Sequence, residues 1–378
     1  MRRVGKGFRS ISLVALTLVT APALQAKEYH DLFATPMGLS MGGAITSYVD
    51  DWNSLYYNPA GLASVKDFHL RMPDLIHAEA SLGIMQIFKK MQALDDSESI
   101  ALQLKEFDGK AGSMRVSPLN FGLFFRQIGL ALNLADLKTA IRLQVPTLIF
   151  ARAYFDTRVD SGLSAGYGHS FMNDRLRVGF ALRLLARAGS TGYLEGDEIS
   201  NIGDVLGEQS GAGLGIDADF GVQSRLPETT LWGLKVKPMA GLVLQNAFES
   251  HFDLVRFKQK SFKGYAPPNE RRINAGISAK LEGLSGISLI PSLELRDLMV
   301  PTNSFFEYVS MGLQIGLNTG YWFNGFIRTA YYKGTIAGGI GGNLGPGELE
   351  LGTYAVALGE GFGVGVDRRY YARLALSW

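Results

Sequence analysis

The feature that most limits what this chain can fold into is a two-residue alternation of apolar and charged side chains, which returns in segment after segment from about residue 114 onward. Within 175–187, Leu176, Val178, Phe180, Leu182 and Leu184 alternate with positions that include Arg175, Arg177, Arg183 and Arg187. Ile273, Ala275, Ile277, Ala279 and Leu281 alternate in the same way with Arg272, Asn274, Ser278 and Lys280, and Leu214, Ile216, Phe220 and Val222 with Asp217, Asp219 and Gln223. Successive side chains of a strand point to opposite faces, so each segment reads as a strand with one greasy and one polar face.

A soluble antiparallel sandwich alternates too, but strand length and connections argue against it. The segments run to about ten residues or more, the length at which a tilted strand crosses a bilayer. Short links near Gly345-Pro346, Asn318-Thr319-Gly320, Glu282-Gly283, Pro227-Glu228 and Asn173-Asp174 alternate with longer ones near 358–367, 298–304, 249–269 and 189–210. Short turns on one rim and long loops on the other mark an outer-membrane barrel. The expected fold is therefore all-β: a transmembrane antiparallel β-barrel of about fourteen strands. Aromatic residues at strand ends, such as Tyr331-Tyr332 and Tyr370-Tyr371, suit the interface between headgroups and hydrocarbon. Tyr370, Ala372, Leu374, Leu376 and Trp378 share one face of the last strand, and the terminal Trp378 resembles the ending read by barrel-insertion machinery.

The N-terminus reads as an address. Arg2, Arg3, Lys6 and Arg9 precede an apolar stretch from Ile11 to Val19, and Ala23-Leu24-Gln25-Ala26 offers small residues for cleavage. Residues 1–26 are the expected signal peptide, removed during export to the outer membrane of a Gram-negative bacterium. That apolar stretch falls short of the roughly 20 residues a spanning helix needs, and no other apolar run reaches that length. A membrane form must therefore be built of strands. The net charge of +2, with 19% of residues charged, offers no basic surface for nucleic acid. Cysteine is absent, so disulfides, thiolate metal sites and an acylated cysteine are excluded.

Two stretches break the alternation. Residues of about 76–112 carry Glu79, Lys89, Lys90, Asp95, Asp96, Glu98, Lys105 and Glu106 among apolar residues at mixed helical spacings, and read as a short helical insertion in water at one rim. Residues 27–64 are Gly-rich and polar. There, Pro36-Met37-Gly38-Leu39-Ser40-Met41-Gly42-Gly43-Ala44 is followed by Asp50-Asp51 and then by Tyr56-Tyr57-Asn58-Pro59-Ala60-Gly61-Leu62.

This opening resembles that of the FadL superfamily of outer-membrane barrels, which includes fatty-acid and aromatic-hydrocarbon transporters and the PorV-like and TraF-like barrel proteins. The specific part is the short signature at Asn58, Pro59 and Ala60. The resemblance implies an N-terminal lumenal plug, or hatch, over 27–64 and a barrel over 65–378, with ligand access controlled by the hatch. The phrase around Gly42, Gly43 and Asn58 is closer to the PorV-like and TraF-like branch than to the transporters. From the residues themselves, glycines at 38, 42 and 43 permit positive φ or close chain approach, and Pro59 fixes an elbow with Asn58 extended before it. A plain Asn-Pro-Ala-Gly turn remains open on this reading.

No catalytic, metal or cofactor site is expected. Gly162-Leu163-Ser164-Ala165-Gly166 and Gly38-Leu39-Ser40-Met41-Gly42 spell a nucleophile elbow, but neither stands where a strand turns sharply into a helix. His30, His69, His77, His169 and His251 show no metal-binding spacing. Arg175, Arg177, Arg183, Asp217, Asp219, Arg272, Glu294 and Arg296 are the candidate lumen-lining charges, because facing lipid would cost about 2–4 kcal/mol for a basic residue at mid-depth. Phe121, Phe124 and Phe125, or Phe305 and Phe306, are candidates for an apolar pocket. Two functions fit: an outer-membrane barrel that binds or passes small hydrophobic, fatty-acid-like molecules through a hatch-gated lumen, or a non-transporting scaffold or secretion-partner barrel. The expected partners are outer-membrane lipid, the insertion machinery, and either a hydrophobic small molecule or an envelope or secreted protein.

Overall fold

The computed structural model describes residues 32–94, 100–117, 120–147, 150–199, 210–257, 264–284, 286–300, 305–318, 322–357 and 366–377. The expected signal peptide and Trp378 lie outside them. Fourteen antiparallel staves form one closed sheet. Stave β1 joins His69–Arg71 to Ile76–Ser81, and β2 joins Ala111–Val116 to Asn120–Phe125. Then follow β3 (Ile128–Thr147), β4 (Phe150–Phe171), β5 (Leu176–Glu195), β6 (Gly211–Arg225) and β7 (Leu234–Gln245). The ring continues with β8 (Arg272–Leu284), β9 (Ile287–Leu295), β10 (Val309–Asn318), β11 (Phe323–Tyr332), β12 (Thr335–Leu344), β13 (Gly347–Ala357) and β14 (Val366–Leu376). Each stave pairs with its successor, and β14 pairs back on β1 through Tyr370 with Ala80 and Leu374 with Ile76. Closure leaves no open edge, which hydrocarbon would not tolerate.

The alternation sets which way side chains face. Phe180, Leu182, Leu184, Ile216, Phe220, Leu242, Ile277, Leu293, Met311, Ile327, Ile340 and Leu351 are exposed on the outside, while Arg183, Arg187, Asp217, Asp219, Ser278, Glu294 and Ser310 are buried within. An apolar outer belt around a polar interior is the pattern of a transmembrane barrel. No helix among the described residues is long and apolar enough to cross a membrane.

Three staves are much longer than the bilayer. β3, β4 and β5 have 20, 22 and 20 residues, against the roughly 9–11 that a tilted strand uses in crossing. Their surplus stands beyond the belt at the long-loop rim, where outward apolar residues would meet water. Helices Ile84–Gln92 and Ile100–Leu104 cover them: Ile87, Met91, Ala101, Leu104 and Phe107 pack with Ile141, Leu143, Val145, Ala151, Ala153, Phe155 and Leu194. Here the structure differs from the expected insertion of 76–112, whose first and last residues are strand. In Ile76–Ser81 the inward residues are His77, Glu79 and Ser81, while Ala78 and Ala80 on the other face are too small to give the alternation a strong apolar half.

Leu104 is fully buried in this cluster, so Leu104→Ala should cost about 2–5 kcal/mol by leaving a cavity. The loss is confined to the extension. Limited trypsinolysis should cut near Lys89, Lys90 and Lys105 in the variant, while the gel-mobility shift between folded and boiled barrel stays as in the parent.

Candidate functional site: the plug and its seat

Residues 32–65 lie inside the barrel and form most of its apolar core, with Phe33, Met41, Ile45, Val49, Leu55, Tyr57 and Leu62 all nearly or fully buried. Local chemistry shapes the plug. Thr35 caps the short helix Pro36–Ser40, its hydroxyl accepting from the Gly38 N–H with Pro36 in the first turn. Gly42 and Gly43 follow with φ of 58° and 77°, a left-handed conformation that a β-carbon would strain. The same bend aims the Gly42 carbonyl at the wall, where Arg296 Nη1 donates to it at 2.8 Å and Ser310 Oγ at 2.9 Å.

The Asn-Pro-Ala signature is a capped elbow and not a plain turn. Asn58 is extended at φ −157° and ψ 103° and caps a 3₁₀ helix over Pro59–Ser64, its Oδ1 accepting from the Ala60 N–H at 3.1 Å. Its Nδ2 donates to the Thr46 carbonyl at 2.9 Å and to the Val222 carbonyl of β6 at 3.2 Å. One side chain thus ties the elbow to both the plug and the wall. Beneath Pro59, Gly168 pairs with Gly179 and Gly179 with Gly221, a cross-strand row of three glycines. A β-carbon at Gly179 would overlap the Pro59 carbonyl, and one at Gly221 would overlap Asn58 Oδ1. The wall is stripped of side chains where the elbow rests on it.

Further ties come from the wall. Glu294 accepts from the Thr46 N–H at 2.9 Å and from the Thr46 hydroxyl at 2.7 Å, and Gln223 Nε2 donates to the Thr46 and Val49 carbonyls at 3.1 and 2.9 Å. Ser47 Oγ donates to Ser278 Oγ at 2.8 Å, and Gln245 Nε2 donates to the Tyr56 carbonyl at 2.8 Å.

The candidate lumen charges fall into two groups. Arg177, Arg183, Asp217, Asp219, Arg272, Glu294 and Arg296 are buried inside the ring. Arg175 is not: it sits exposed in the turn between β4 and β5, where the hairpin has ended and alternation no longer dictates direction. Arg183 pairs with Asp219, and Arg272 with Asp297. Asp217 instead receives the Phe248 N–H at 3.1 Å and Asn269 Nδ2 at 3.3 Å, which draws the long connection between β7 and β8 into the mouth. A larger network was not singled out in the sequence. It runs from Glu79 to Arg115 at 3.0 Å, Asp136 at 2.7 Å, Lys138 at 3.1 Å, Asp160 at 3.3 Å and Arg187 at 2.5 Å across β1 to β5. Charges so enclosed are tolerable because each has a partner.

Asp219 accepts from Arg183 Nη1 at 2.8 Å and from the Asn246 N–H at 2.9 Å. Asp219→Ala would strand that buried guanidinium, so urea unfolding in detergent should show a loss of about 3–5 kcal/mol. Arg175→Ala, at an exposed turn, should change stability by no more than about 0.5 kcal/mol.

The aromatic candidates also divide. Phe124 is buried against the plug and Phe121 lines a small cavity of about 20 Å³, shared with Phe33, Trp52, Tyr56 and Arg71. Phe305 and Phe306 are exposed near the long-loop rim. Ser164 is buried in the straight run of β4, without the turn a nucleophile elbow needs, and no metal-binding cluster occurs among the described residues.

The fold and its filling define a class: a plugged transmembrane β-barrel of the outer-membrane type. No protein-family model and no curated protein matches the sequence. Among solved structures, the chain is similar to the CymD monoaromatic hydrocarbon channel at 12% identity, covering 90% of this chain and 96% of that one, with a TM-score of 0.41. It is similar to the Pseudomonas putida toluene transporter TodX at 10% identity over 93% and 98% of the two chains, with a TM-score of 0.42. CdiB from Acinetobacter baumannii follows at 9% identity, 83% and 60% coverage, and a TM-score of 0.31. The barrel itself stands on its own strand pairing, and fourteen staves around an N-terminal plug are what the resemblance to the FadL superfamily implies.

Proposed function

We propose that this chain is an outer-membrane barrel of the FadL-like kind, exported by a cleaved leader, that passes small hydrophobic molecules through its lumen when the plug shifts. The observation that carries this reading is how the plug is held: hydrogen bonds at Asn58, Thr46, Gly42 and Ser47, with no disulfide, over an aromatic lining of Phe33, Trp52, Tyr56 and Phe124. The neutral bonds at Asn58 and Ser47 have a small net worth of about 0.5–1.5 kcal/mol each, and those to Glu294 and Arg296 about 1.5–3 kcal/mol. An apolar solute that gains contact with the rings can offset several of them.

The test locks the hatch. Ser47 and Ser278 have hydroxyls 2.8 Å apart, and the parent has no cysteine, so Ser47→Cys with Ser278→Cys gives one defined disulfide. Proteoliposome uptake of labelled toluene and of a long-chain fatty acid should occur with the parent, stop in the oxidised variant and return on reduction. Absence of flux in the parent removes the transport reading, and flux unchanged by the lock removes the gate.

One observation favours a second reading, a scaffold or secretion-partner barrel of the PorV or TraF kind. The charge network from Glu79 to Arg187 fills one side of the lumen and needs no ligand to complete it. Stable co-purification with an envelope or secreted protein, together with no flux, would establish that reading.

A further inference from the structure

A large apolar concavity is on the outside of the wall. It encloses about 930 Å³ and is walled by Tyr167, Phe171, Phe180, Phe220, Val222 and Leu242, all outward residues of β4 to β7. It lies directly behind the glycine row at Gly168, Gly179 and Gly221, so one thickness of backbone separates it from Pro59. Groove residues stand within the belt that faces hydrocarbon, so its natural neighbours are acyl chains.

The end of the groove at the short-turn rim is not apolar. His169 is exposed there, its Nδ1 3.2 Å from the Tyr167 hydroxyl and its ring edge-on to Phe171 at 4.6 Å. Ile128 pairs with Tyr167 and the Gly168 N–H donates to the Gln127 carbonyl, so the turn that carries Arg126 closes at the same rim as His169. Arg175 sits in the turn that links Phe171 to Val178, two residues of the groove wall. The adjacent Asp174 is occupied by Arg177 and Arg225 at 2.8 and 2.5 Å. Arg126 and Arg175 are exposed, and neither side chain has an ion pair or hydrogen bond among the described residues.

We propose that this groove is a binding site for an anionic phospholipid of the leaflet at the short-turn rim. An acyl chain lies along Phe171, Phe180 and Phe220, and the phosphate meets Arg126, Arg175 and His169. The chemistry fits at both ends: aromatic and aliphatic surface takes the chain, and unpaired guanidiniums take the phosphate oxygens. The site stands whether or not the lumen conducts.

Native mass spectrometry of the detergent-extracted full chain with phosphatidylglycerol and phosphatidylcholine tests it. Phosphatidylglycerol should be retained in preference, with retention falling about fivefold for each of Arg126→Ala and Arg175→Ala. Both are exposed rim changes, and the folded-barrel gel shift verifies assembly. Photoactivatable phosphatidylglycerol, labelled on its acyl chain, should crosslink within 167–180 and 220–222. Equal retention of the two lipids, retention unaffected by the arginine changes, displacement by inorganic phosphate alone, crosslinks elsewhere, or a homodimer covering the groove would each overturn the proposal.

Discussion

Ile277→Asp is expected to block assembly of the barrel, while the neighbouring Ser278→Asp assembles and loosens only the plug. Ile277 lies in the middle of β8, is 57% exposed on the outer face, and pairs with Ala240 and Leu293 across the sheet. A carboxylate there meets hydrocarbon, with no water and no basic neighbour to compensate. The cost at mid-depth is on the order of 2 kcal/mol, somewhat below that of Arg or Lys, and the lost isoleucine contact with lipid adds to it. Even the lower figure shifts the folded-to-unfolded ratio by roughly thirtyfold. Ser278, one residue on at the same depth, is 7% exposed and turns inward to Ser47. An Asp at that position lies in a polar lumen and disturbs a single plug contact. The folded fraction after refolding into detergent micelles, read from the gel-mobility shift, separates the two. Equal folded fractions would mean that the two faces of β8 have been exchanged.

That contrast also shows why much of the fold was legible. Period-two alternation is a direct consequence of strand geometry, so Phe180 against Arg183 and Ile216 against Asp217 announce which side is lipid. The information fails where geometry stops dictating direction. Arg175 shares the parity of Arg177 but belongs to a turn, and the Asn173-Asp174 link marks that turn without fixing which residue opens the strand. Ile76–Ser81 was hidden because alanine faces outward there. The covering helices posed a different difficulty: their apolar spacing marks an amphipathic stripe, yet nothing in it names Leu143 and Phe155 as the partner surface.

The candidate site was legible in part. Asn58, Pro59 and Ala60 can be read locally, since an Asn cap followed by Pro is a helix start that needs no tertiary knowledge. Their seat cannot. Gly168, Gly179 and Gly221 lie on three strands, and only the pairing register brings them into one row. The spelling from Gly162 to Gly168 carried a usable hint, because glycines at alternating positions in a strand mark close approach by another chain. The ion-pair chain through Asp136, Lys138 and Asp160 likewise joins residues whose partners are set by register and by the bulge between Asn133 and Asp136.

The seat yields the other large expected effect: Gly179→Ala should unseat the plug from an otherwise intact barrel. The added methyl would overlap the carbonyl carbon and oxygen of Pro59. Neither side yields easily, because Pro59 has a fixed φ and Gly179 is held in the ladder by Gly168 and Gly221. Overpacking of this kind costs about 1–3 kcal/mol, comparable with the few hydrogen bonds that hold the elbow. The elbow should therefore lift, taking with it the Asn58 bond to the Val222 carbonyl. Gly338→Ala is the matched control, since a β-carbon there meets nothing closer than the Arg328 carbonyl at 3.4 Å. In planar bilayers the Gly179 variant should show frequent openings where the parent and the Gly338 variant stay closed, and all three should give the same folded-barrel gel shift. Closed traces from the Gly179 variant would mean that the elbow is free to settle elsewhere in the lumen without opening a path. Failure of the variant to fold at all would instead make the glycine row a requirement of the wall and not of the plug.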